Sequence, residues 1–199
     1  MTERRRKKGL GCGKIFITLL VLTLVAVILI GSGLVSKLRT KIEMLIYPLS
    51  YEEEIVMAAQ EYDFEPQFLC AVIHTESKFD IRAESHAGAR GLMQIMPDTF
   101  EWLCEKRGED HSPQDMLNPH LSIDYGTYYL RYLTDIYQDR YTACAAYNAG
   151  NTAVNEWLQN PAYSSDGVTL HTIPYEETSE YVQRIRDAEQ MYQKLYFSE

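Results

Sequence analysis

The sequence predicts an all-α protein in which a single globular domain follows one N-terminal transmembrane helix. Three observations lead to this prediction. An uncharged run of 21 residues, Ile15 to Val35, stands near the N-terminus. Apolar residues recur at helical spacing from Tyr51 onward, and no alternating strand pattern of convincing length appears. A chain of 199 residues has room for one such domain plus an appendage.

Charge divides the chain into the same two parts. Residues 1–41 carry nine Lys and Arg against one acid, a balance of +8, whereas residues 42–199 have a balance of −17. This asymmetry indicates that the two parts occupy different environments. The acidic balance of the globular part argues against a nucleic-acid partner. The five histidines show no metal-ligand spacing, so we expect neither a metal nor a cofactor.

The apolar run has the length of about 20 residues that a helix needs to cross a bilayer. A basic cluster at 4–8 precedes it and fewer basic residues follow it, which favours a cytoplasmic N-terminus and an extracytoplasmic domain. A cleaved signal peptide is the alternative, but the run is long for one. We therefore predict a cytoplasmic basic tail at 1–14, a single-pass transmembrane helix at 15–35, a juxtamembrane stalk at 36–50 and the globular domain at 51–199.

The globular part consists of successive predicted helices. Pro66 and Pro97 suit the first turn of a helix. Asn118 and Pro119 are typical of a helix start, and that helix reaches about residue 136. Further helices are predicted at 141–149, 151–158 and 178–195, with 168–173 as a short extended piece. Cysteines 70, 104 and 144 lie in apolar helical contexts and are predicted to be buried thiols, with one disulfide as the alternative.

Four sequence blocks carry the chemistry of the chain. Glu76 and Ser77 end an apolar helical stretch, and a glycine-punctuated loop follows from Ser85 to Pro97. The third block is Ala146-Tyr147-Asn148-Ala149-Gly150, and the fourth runs from Pro174 to Val182. In this order the blocks resemble the catalytic domain of the soluble-lytic-transglycosylase (SLT) family, a lysozyme-like fold that cleaves peptidoglycan. The resemblance covers roughly residues 52–195.

Glu76 is the candidate catalytic residue. A carboxyl group held against apolar neighbours has a raised pKa, and a protonated acid near neutral pH is what glycosidic cleavage needs. Taken alone, a glutamate at this position would more often be an exposed helix-end residue in a salt bridge, because most glutamates are exposed. The resemblance to the SLT family implies that Glu76 is the sole catalytic acid.

The resemblance also implies a set of substrate-binding residues along the cleft. Ser85 has a turn or cap role as its alternative, and Met93 has core packing as its alternative. Gln94 offers both a donor and an acceptor to a sugar amide. By spacing, Glu177 and Tyr181 lie on one helical face. The full predicted set is Ser85, Met93, Gln94, Tyr147, Asn148, Glu177 and Tyr181.

A stripe of tyrosines at positions 125, 128, 129 and 132 has helical spacing, and we interpret it as core packing rather than as a sugar platform.

The resemblance implies a membrane-anchored peptidoglycan lytic transglycosylase. Such an enzyme cleaves the β-1,4 bond between N-acetylmuramic acid and N-acetylglucosamine and forms a 1,6-anhydro product without a cofactor. Its partners are peptidoglycan strands and the bacterial cytoplasmic membrane, and any wall-assembly or secretion-complex partner is unknown. A muramidase on the same fold and a non-catalytic glycan-binding scaffold are the two alternatives.

Overall fold

The computed structural model describes residues 12–198, and it divides the chain into two units that meet between Ile46 and Tyr47. The first unit contains helix α1 (Cys12–Gly31) and helix α2 (Leu34–Ile46). Residues 13–31 of α1 are long and apolar enough to cross a membrane. Positions 1–11 of the predicted cytoplasmic tail lie outside the described residues. The segment that the sequence predicts to be a stalk is helical as far as Ile46.

The second unit is built from helices, as the sequence predicts. Among the described residues there is no strand, and the only β-like pairings are two isolated bridges from Arg90 to Glu84 and to Ile95. The segment 168–173, predicted to be extended, has an irregular path. The helices are α3 (Glu52–Glu61), α4 (Pro66–Ser77), α5 (Pro97–Arg107), α6 (Pro119–Tyr137), α7 (Arg140–Ala149), α8 (Asn151–Leu158) and α9 (Glu176–Tyr196), with a short 3₁₀ helix at Pro113–Leu117.

Helix α4 lies at the centre of this unit. All seven residues from Phe68 to His74 are buried. A helix that is apolar around its whole circumference belongs inside a fold, because no face of it suits water. Helix α9 packs along α4, α3 flanks α4, and α7 packs against both α6 and α9. The buried body of α4 therefore lies inside the fold, and its C-terminal end, which carries Glu76, is half-buried.

Local sequence signals explain where the helices begin and end. Proline occupies the first turn of α4, α5 and α6, where its missing N–H costs nothing. The Asn118 side chain caps α6, and Asp139 caps α7. Helix α4 stops because Lys78 and Phe79 both adopt left-handed backbone conformations, with φ of 52° and 65°. The chain consequently turns sharply just after Glu76.

The cysteines of the second unit are structural. Cys70, Cys104 and Cys144 are free thiols and all three are buried. Cys70 and Cys144 belong to the main core, and Cys104 belongs to a smaller core cluster beneath α5. The prediction that they act as small buried hydrophobic side chains is confirmed.

Candidate active site

Glu76 is held by a tyrosine from the far end of the chain. The Tyr181 hydroxyl on α9 donates a hydrogen bond of 2.6 Å to Glu76 Oε1, across 105 positions of sequence. Burial raises the pKa of Glu76 from an ordinary 4.5 to about 7, while the Tyr181 hydrogen bond and the positive charge of Arg184 lower it. The predicted rise agrees with the structure, and its main cause is the burial of the carboxyl group.

The two oxygens of the Glu76 carboxyl have different roles. Burial and the nearby Glu76 raise the pKa of Tyr181 well above its ordinary value, so this hydroxyl keeps its proton and acts as the donor. Because Oε1 accepts that hydrogen bond, the acidic proton of neutral Glu76 belongs on Oε2. The site therefore presents one oriented acid near neutral pH.

Among the described residues, no second carboxylate contributes to the shift in the pKa of Glu76. The groups that shift the pKa of Glu76 are Tyr181 and Arg184, in addition to burial. A retaining glycosidase places its two carboxyl groups about 5 Å apart, and such a pair would raise one of the two pKa values by charge repulsion. The acidity of Glu76 is thus set without a partner carboxylate, which suits chemistry that uses a single carboxyl group.

The glycine-punctuated loop is pinned to the helices at its centre. Ser77 Oγ donates to the Leu92 carbonyl at 2.8 Å, and the Leu92 N–H donates to Ser122 Oγ on α6 at 2.8 Å. Gly91 has a φ of +78°, and an added Cβ would overlap the Met116 carbonyl oxygen. Only glycine allows this close approach of loop backbone to its neighbours.

Gln94 has a narrower role than its sequence suggests. Its Nε2 donates to the carbonyl oxygens of Ala83 at 3.0 Å and Gly91 at 2.9 Å. Both partners are acceptors, so the amide nitrogen must face them, and both of its N–H groups are used. What remains for a substrate is the acceptor Oε1, in place of the expected donor and acceptor together.

Met93 and Tyr147 meet through the backbone. The Tyr147 hydroxyl donates to the Met93 carbonyl at 2.7 Å. The Met93 side chain is fully buried, and it packs where Gly126 leaves space on α6. Its position matches the alternative of core packing. Tyr147 is the residue whose ring faces the cleft next to Tyr129, with 5.1 Å between ring centroids.

Asn148 is oriented by a residue that the sequence analysis did not single out. The hydroxyl of buried Thr178 donates to Asn148 Oδ1 at 2.8 Å, linking α9 to α7. The Asn148 NH₂ group is therefore the part left for a ligand. Thr178 lies inside the fourth sequence block, so its position there was the available signal. Its neighbour Glu177 is exposed, and Tyr181 bonds Glu76 rather than Glu177.

Ser85 has a local structural contact. Its Oγ accepts a hydrogen bond from the Ala89 N–H at 3.0 Å, and its own N–H donates to the Ala89 carbonyl at 2.9 Å. These bonds close the exposed turn at the start of the loop. The structure thus shows the turn role that the sequence analysis kept as an alternative.

Two adjoining cavities form a groove beside these residues. One, of about 290 Å³, is lined by Gln94, Tyr147 and Asn148. The other, of about 300 Å³, includes Trp102, Tyr132 and Asn151. They share Thr99 and Tyr129 as lining residues.

The tyrosine stripe of α6 divides between the core and this groove. Tyr125 is fully buried, in agreement with the expectation of core packing. Tyr129 and Tyr132 are partly buried against the core and also line the groove. Within the described residues, no cluster of His, Cys, Asp and Glu could hold a metal ion.

A helical body that holds one half-buried, oriented glutamic acid and a groove lined by Tyr147 and Asn148 defines a lysozyme-like domain. The chain belongs to the transglycosylase SLT domain family, whose family model matches residues 53–167. The resemblance seen in the sequence is thereby confirmed.

Named relatives fall in the same family. The chain is 34% identical over 143 residues to the soluble lytic murein transglycosylase of Salmonella typhimurium, which covers 70% of this chain and 22% of that protein. It is 36% identical over 107 residues to the membrane-bound lytic murein transglycosylase C of Actinobacillus pleuropneumoniae, covering 48% of this chain and 29% of the relative. The chain thus spans less than a third of the length of these relatives.

Solved structures agree with the fold. An inactive glutamate-to-glutamine mutant of lytic transglycosylase Slt from Pseudomonas aeruginosa superposes with a TM-score of 0.68 at 31% identity, covering 77% of this chain and 25% of that one. The 70 kDa soluble lytic transglycosylase of Escherichia coli gives a TM-score of 0.66 at 29% identity, covering 74% of this chain and 25% of that one. The all-α, lysozyme-like prediction is therefore confirmed.

Proposed function

We propose that this chain is a peptidoglycan lytic transglycosylase anchored in the bacterial cytoplasmic membrane. The observation that carries the proposal is Glu76, a half-buried carboxyl whose pKa is raised to about 7 and whose Oε1 is held by Tyr181. One acid of this kind suits a reaction in which the same group first gives and then takes a proton. The family membership and the names of the relatives support the same reaction.

In the first step, Glu76 acts as the general acid. Its Oε2 proton passes to the oxygen that links C1 of N-acetylmuramic acid to N-acetylglucosamine, and the C1–O bond breaks. The N-acetylglucosamine end leaves as an alcohol, and positive charge develops at C1. Glu76 is now a carboxylate, which the hydrogen bond from Tyr181 stabilises.

In the second step, Glu76 acts as the general base. The carboxylate removes the proton of the muramic C6 hydroxyl, and O6 forms a bond to C1 as the 1,6-anhydro ring closes. The proton returns to Glu76, so the enzyme is restored without consuming water. A second carboxylate to activate a water molecule is unnecessary, in contrast to the paired carboxyl groups of ordinary glycosidases.

The groove positions the glycan for these steps. Gln94 Oε1 accepts a hydrogen bond from a substrate N–H or O–H, and the Asn148 NH₂ group donates one to a substrate oxygen. Tyr147 and Tyr129 provide aromatic faces along the path. We include Ser85 and Glu177 as outer contacts of the cleft, where both are exposed and free to approach a long polymer.

We further propose that α1 spans the membrane once, with a cytoplasmic N-terminus and the catalytic domain outside. The apolar helix 13–31 and the excess of basic residues before it support this orientation. Because α2 is helical, its 13 residues extend only about 20 Å. The anchor thereby restricts the enzyme to peptidoglycan close to the membrane.

The direct test is mass spectrometry of the muropeptides that residues 42–199 release from purified peptidoglycan. The matched variants are Glu76→Gln and Glu53→Gln, the latter an exposed glutamate in the first turn of α3. We expect anhydro-muramyl products from the wild type and from Glu53→Gln, and none from Glu76→Gln.

Other outcomes would redirect the assignment. Products with reducing ends would indicate a muramidase that uses water on the same fold. An absence of products from every variant, with binding to peptidoglycan retained, would indicate a glycan-binding scaffold. Activity that survives in Glu76→Gln would contradict the role of this residue as the acid.

A further inference from the structure

Helix α2 presents a continuous apolar stripe to its surroundings. Leu34, Val35, Leu38, Ile42, Leu45 and Ile46 are 49–82% exposed. At 100° per residue they fall within an arc of about 120° on the helix circumference. No residue of α2 is buried. Six large apolar side chains on one face of a 13-residue helix form an exposed apolar patch, and such a patch marks an interaction site rather than a surface in contact with water.

Basic side chains border this stripe on both sides. Lys37 and Lys41 flank one edge, and Arg39 flanks the other. The face opposite the stripe carries Ser36, Thr40 and Glu43 together with one apolar residue, Met44, and Glu43 is bound to Arg39 at 2.8 Å. An apolar face bordered by Lys and Arg is the pattern of a helix that lies in the plane of a membrane interface.

The position of α2 along the chain places it at such an interface. It begins three residues after the candidate membrane span ends at Gly31. The connection includes Gly33, whose φ of +67° is a left-handed conformation that interrupts the helix between α1 and α2. A chain that leaves the bilayer at residue 31 therefore has a turn available before the amphipathic helix starts.

We propose that α2 lies along the outer surface of the cytoplasmic membrane. Its apolar stripe lies among the acyl chains, and its basic borders lie at anionic phospholipid headgroups. The inference rests on the proposed membrane anchor, because α1 brings α2 to the bilayer. Lys and Arg next to the headgroups gain electrostatic attraction to anionic lipid. The chain consequently enters the catalytic domain at the level of the headgroups.

A second copy of the chain is a less suitable occupant of the stripe. Coiled-coil partners use a narrower apolar seam, and the positions beside the seam commonly pair Glu with Lys across the interface. Here both borders of the stripe are basic. If two copies joined through this face, Lys41 and Arg39 of one copy would approach basic residues of the other, and like charges repel.

Site-directed spin labelling of the full-length chain in phospholipid vesicles tests the proposal. Nitroxides are attached to Leu38→Cys, Ile42→Cys and Leu45→Cys on the stripe. The matched controls are Ser36→Cys and Thr40→Cys on the opposite face. Leu24→Cys reports on the middle of α1. All variants carry Cys12→Ser, and the other three cysteines are buried. The Cys12→Ser chain without an introduced cysteine measures residual labelling.

We expect the stripe positions to be accessible to oxygen and shielded from a water-soluble nickel complex, with the reverse at Ser36 and Thr40. Replacing mixed phosphatidylcholine–phosphatidylglycerol vesicles by phosphatidylcholine alone should make the stripe labels shallower.

Nickel access at the stripe, with Leu24 embedded in lipid, would overturn the inference and leave the anchor intact. Spin–spin broadening would indicate a second copy, and shielding from both reagents would indicate packing on protein; either would overturn it. A water-exposed Leu24 label would refute the anchor itself and the inference with it.

Discussion

At the scale of single residues, the chemistry of this domain follows from the place where α4 ends. Seven buried residues lead up to Glu76, its carboxyl group is partly removed from water, and the chain turns sharply at Lys78 just after it. Tyr181 limits the rise in the pKa of Glu76 by donating to Oε1. The acidity of Glu76 is therefore a balance between desolvation, which raises its pKa, and the Tyr181 hydrogen bond and Arg184 charge, which lower it.

The pH dependence of cleavage should report this balance. We expect kcat/KM to fall as pH rises through about 7, because Glu76 then loses the proton that it must donate. In Tyr181→Phe the carboxylate loses a hydrogen bond of about 1.5–3 kcal/mol, so the alkaline limb should move up by about 1–2 pH units. The measurement is a pH–rate profile on purified peptidoglycan.

Tyr141→Phe is the matched control, because Tyr141 also donates to a carboxylate, Glu189, but belongs to another surface. Its profile should coincide with that of the wild type. An unshifted limb in Tyr181→Phe would mean that the titrating group is not Glu76.

The same residue should make stability depend on pH. The pKa of Glu76 is higher in the folded state than its ordinary 4.5, so ionisation is disfavoured by folding. The contribution of Glu76 to the free energy of unfolding is fully present below pH 4.5 and is lost as pH rises to about 7. The loss amounts to at most about 3 kcal/mol. In Glu76→Gln the side chain at position 76 does not ionise, so this pH-dependent loss of stability is absent. Urea unfolding should show the variant gaining on the wild type between pH 5 and pH 8, and a constant difference would contradict the raised pKa.

At the scale of elements, the cleft is made by contacts between helices that are distant in sequence. Helix α9 supplies Tyr181 to the end of α4 and Thr178 to the end of α7. Helix α6 supplies Ser122 and Gly126 to the loop that contains Leu92 and Met93. The site thus depends on the packing of four helices and one loop, and small changes at their contacts should reach the groove.

Thr178→Val tests the contact between α9 and α7. Without the hydroxyl, Asn148 Oδ1 loses its donor and the amide is free to turn, so we expect about a tenfold loss of kcat/KM from one missing hydrogen bond. Thr178→Ser keeps the hydroxyl and should restore activity. A general loss of packing would instead lower the melting temperature of both variants alike.

Gly126→Ala tests the contact between α6 and the loop. In an open helix this change would gain about 1 kcal/mol. Here the added Cβ would lie 2.5 Å from Met93 Cβ and overlap its sulfur, so we expect a net loss of about 1–3 kcal/mol. Activity should fall as well, because a shifted Met93 carbonyl weakens the bond from Tyr147. Denaturant unfolding that shows a stabilised variant would contradict this packing.

At the scale of the whole molecule, the second unit includes residues that the sequence predicts to be stalk. The unit begins at Tyr47, four residues before the predicted boundary at Tyr51. The Tyr192 and Tyr196 hydroxyls donate to the carbonyls of Pro48 at 2.9 Å and Tyr47 at 2.8 Å. The Tyr47 ring also packs on buried His74, two positions before Glu76, at 4.9 Å.

Truncation should reveal this role. A chain that begins at Tyr51 loses two hydrogen bonds and the cover over His74, and we expect it to be about 2–4 kcal/mol less stable than one that begins at Tyr47. Activity should fall along with stability, since α4 carries the acid. Urea denaturation of the two chains side by side makes the comparison, and equal midpoints would show that residues 47–50 are only a linker.

Much of this protein could be predicted from the sequence because the signals are local. Prolines and caps determine where α4, α5 and α6 begin, and the uniformly apolar run before Glu76 predicts both a central helix and a perturbed acid. The order of the four blocks was enough to indicate the family. Such features depend on neighbours within a few residues, which the sequence displays directly.

Only the tertiary structure decided which atoms the cleft residues have left for a ligand. Gln94 uses its two N–H groups on the loop, Met93 turns its side chain into the core, and Thr178 rather than Glu177 completes the contact with Asn148. Each of these outcomes is a competition among partners that meet by folding, such as Tyr181 and Glu76 across 105 positions. Residue spacing determines the face of a helix, whereas hydrogen-bond partners are chosen by packing between helices.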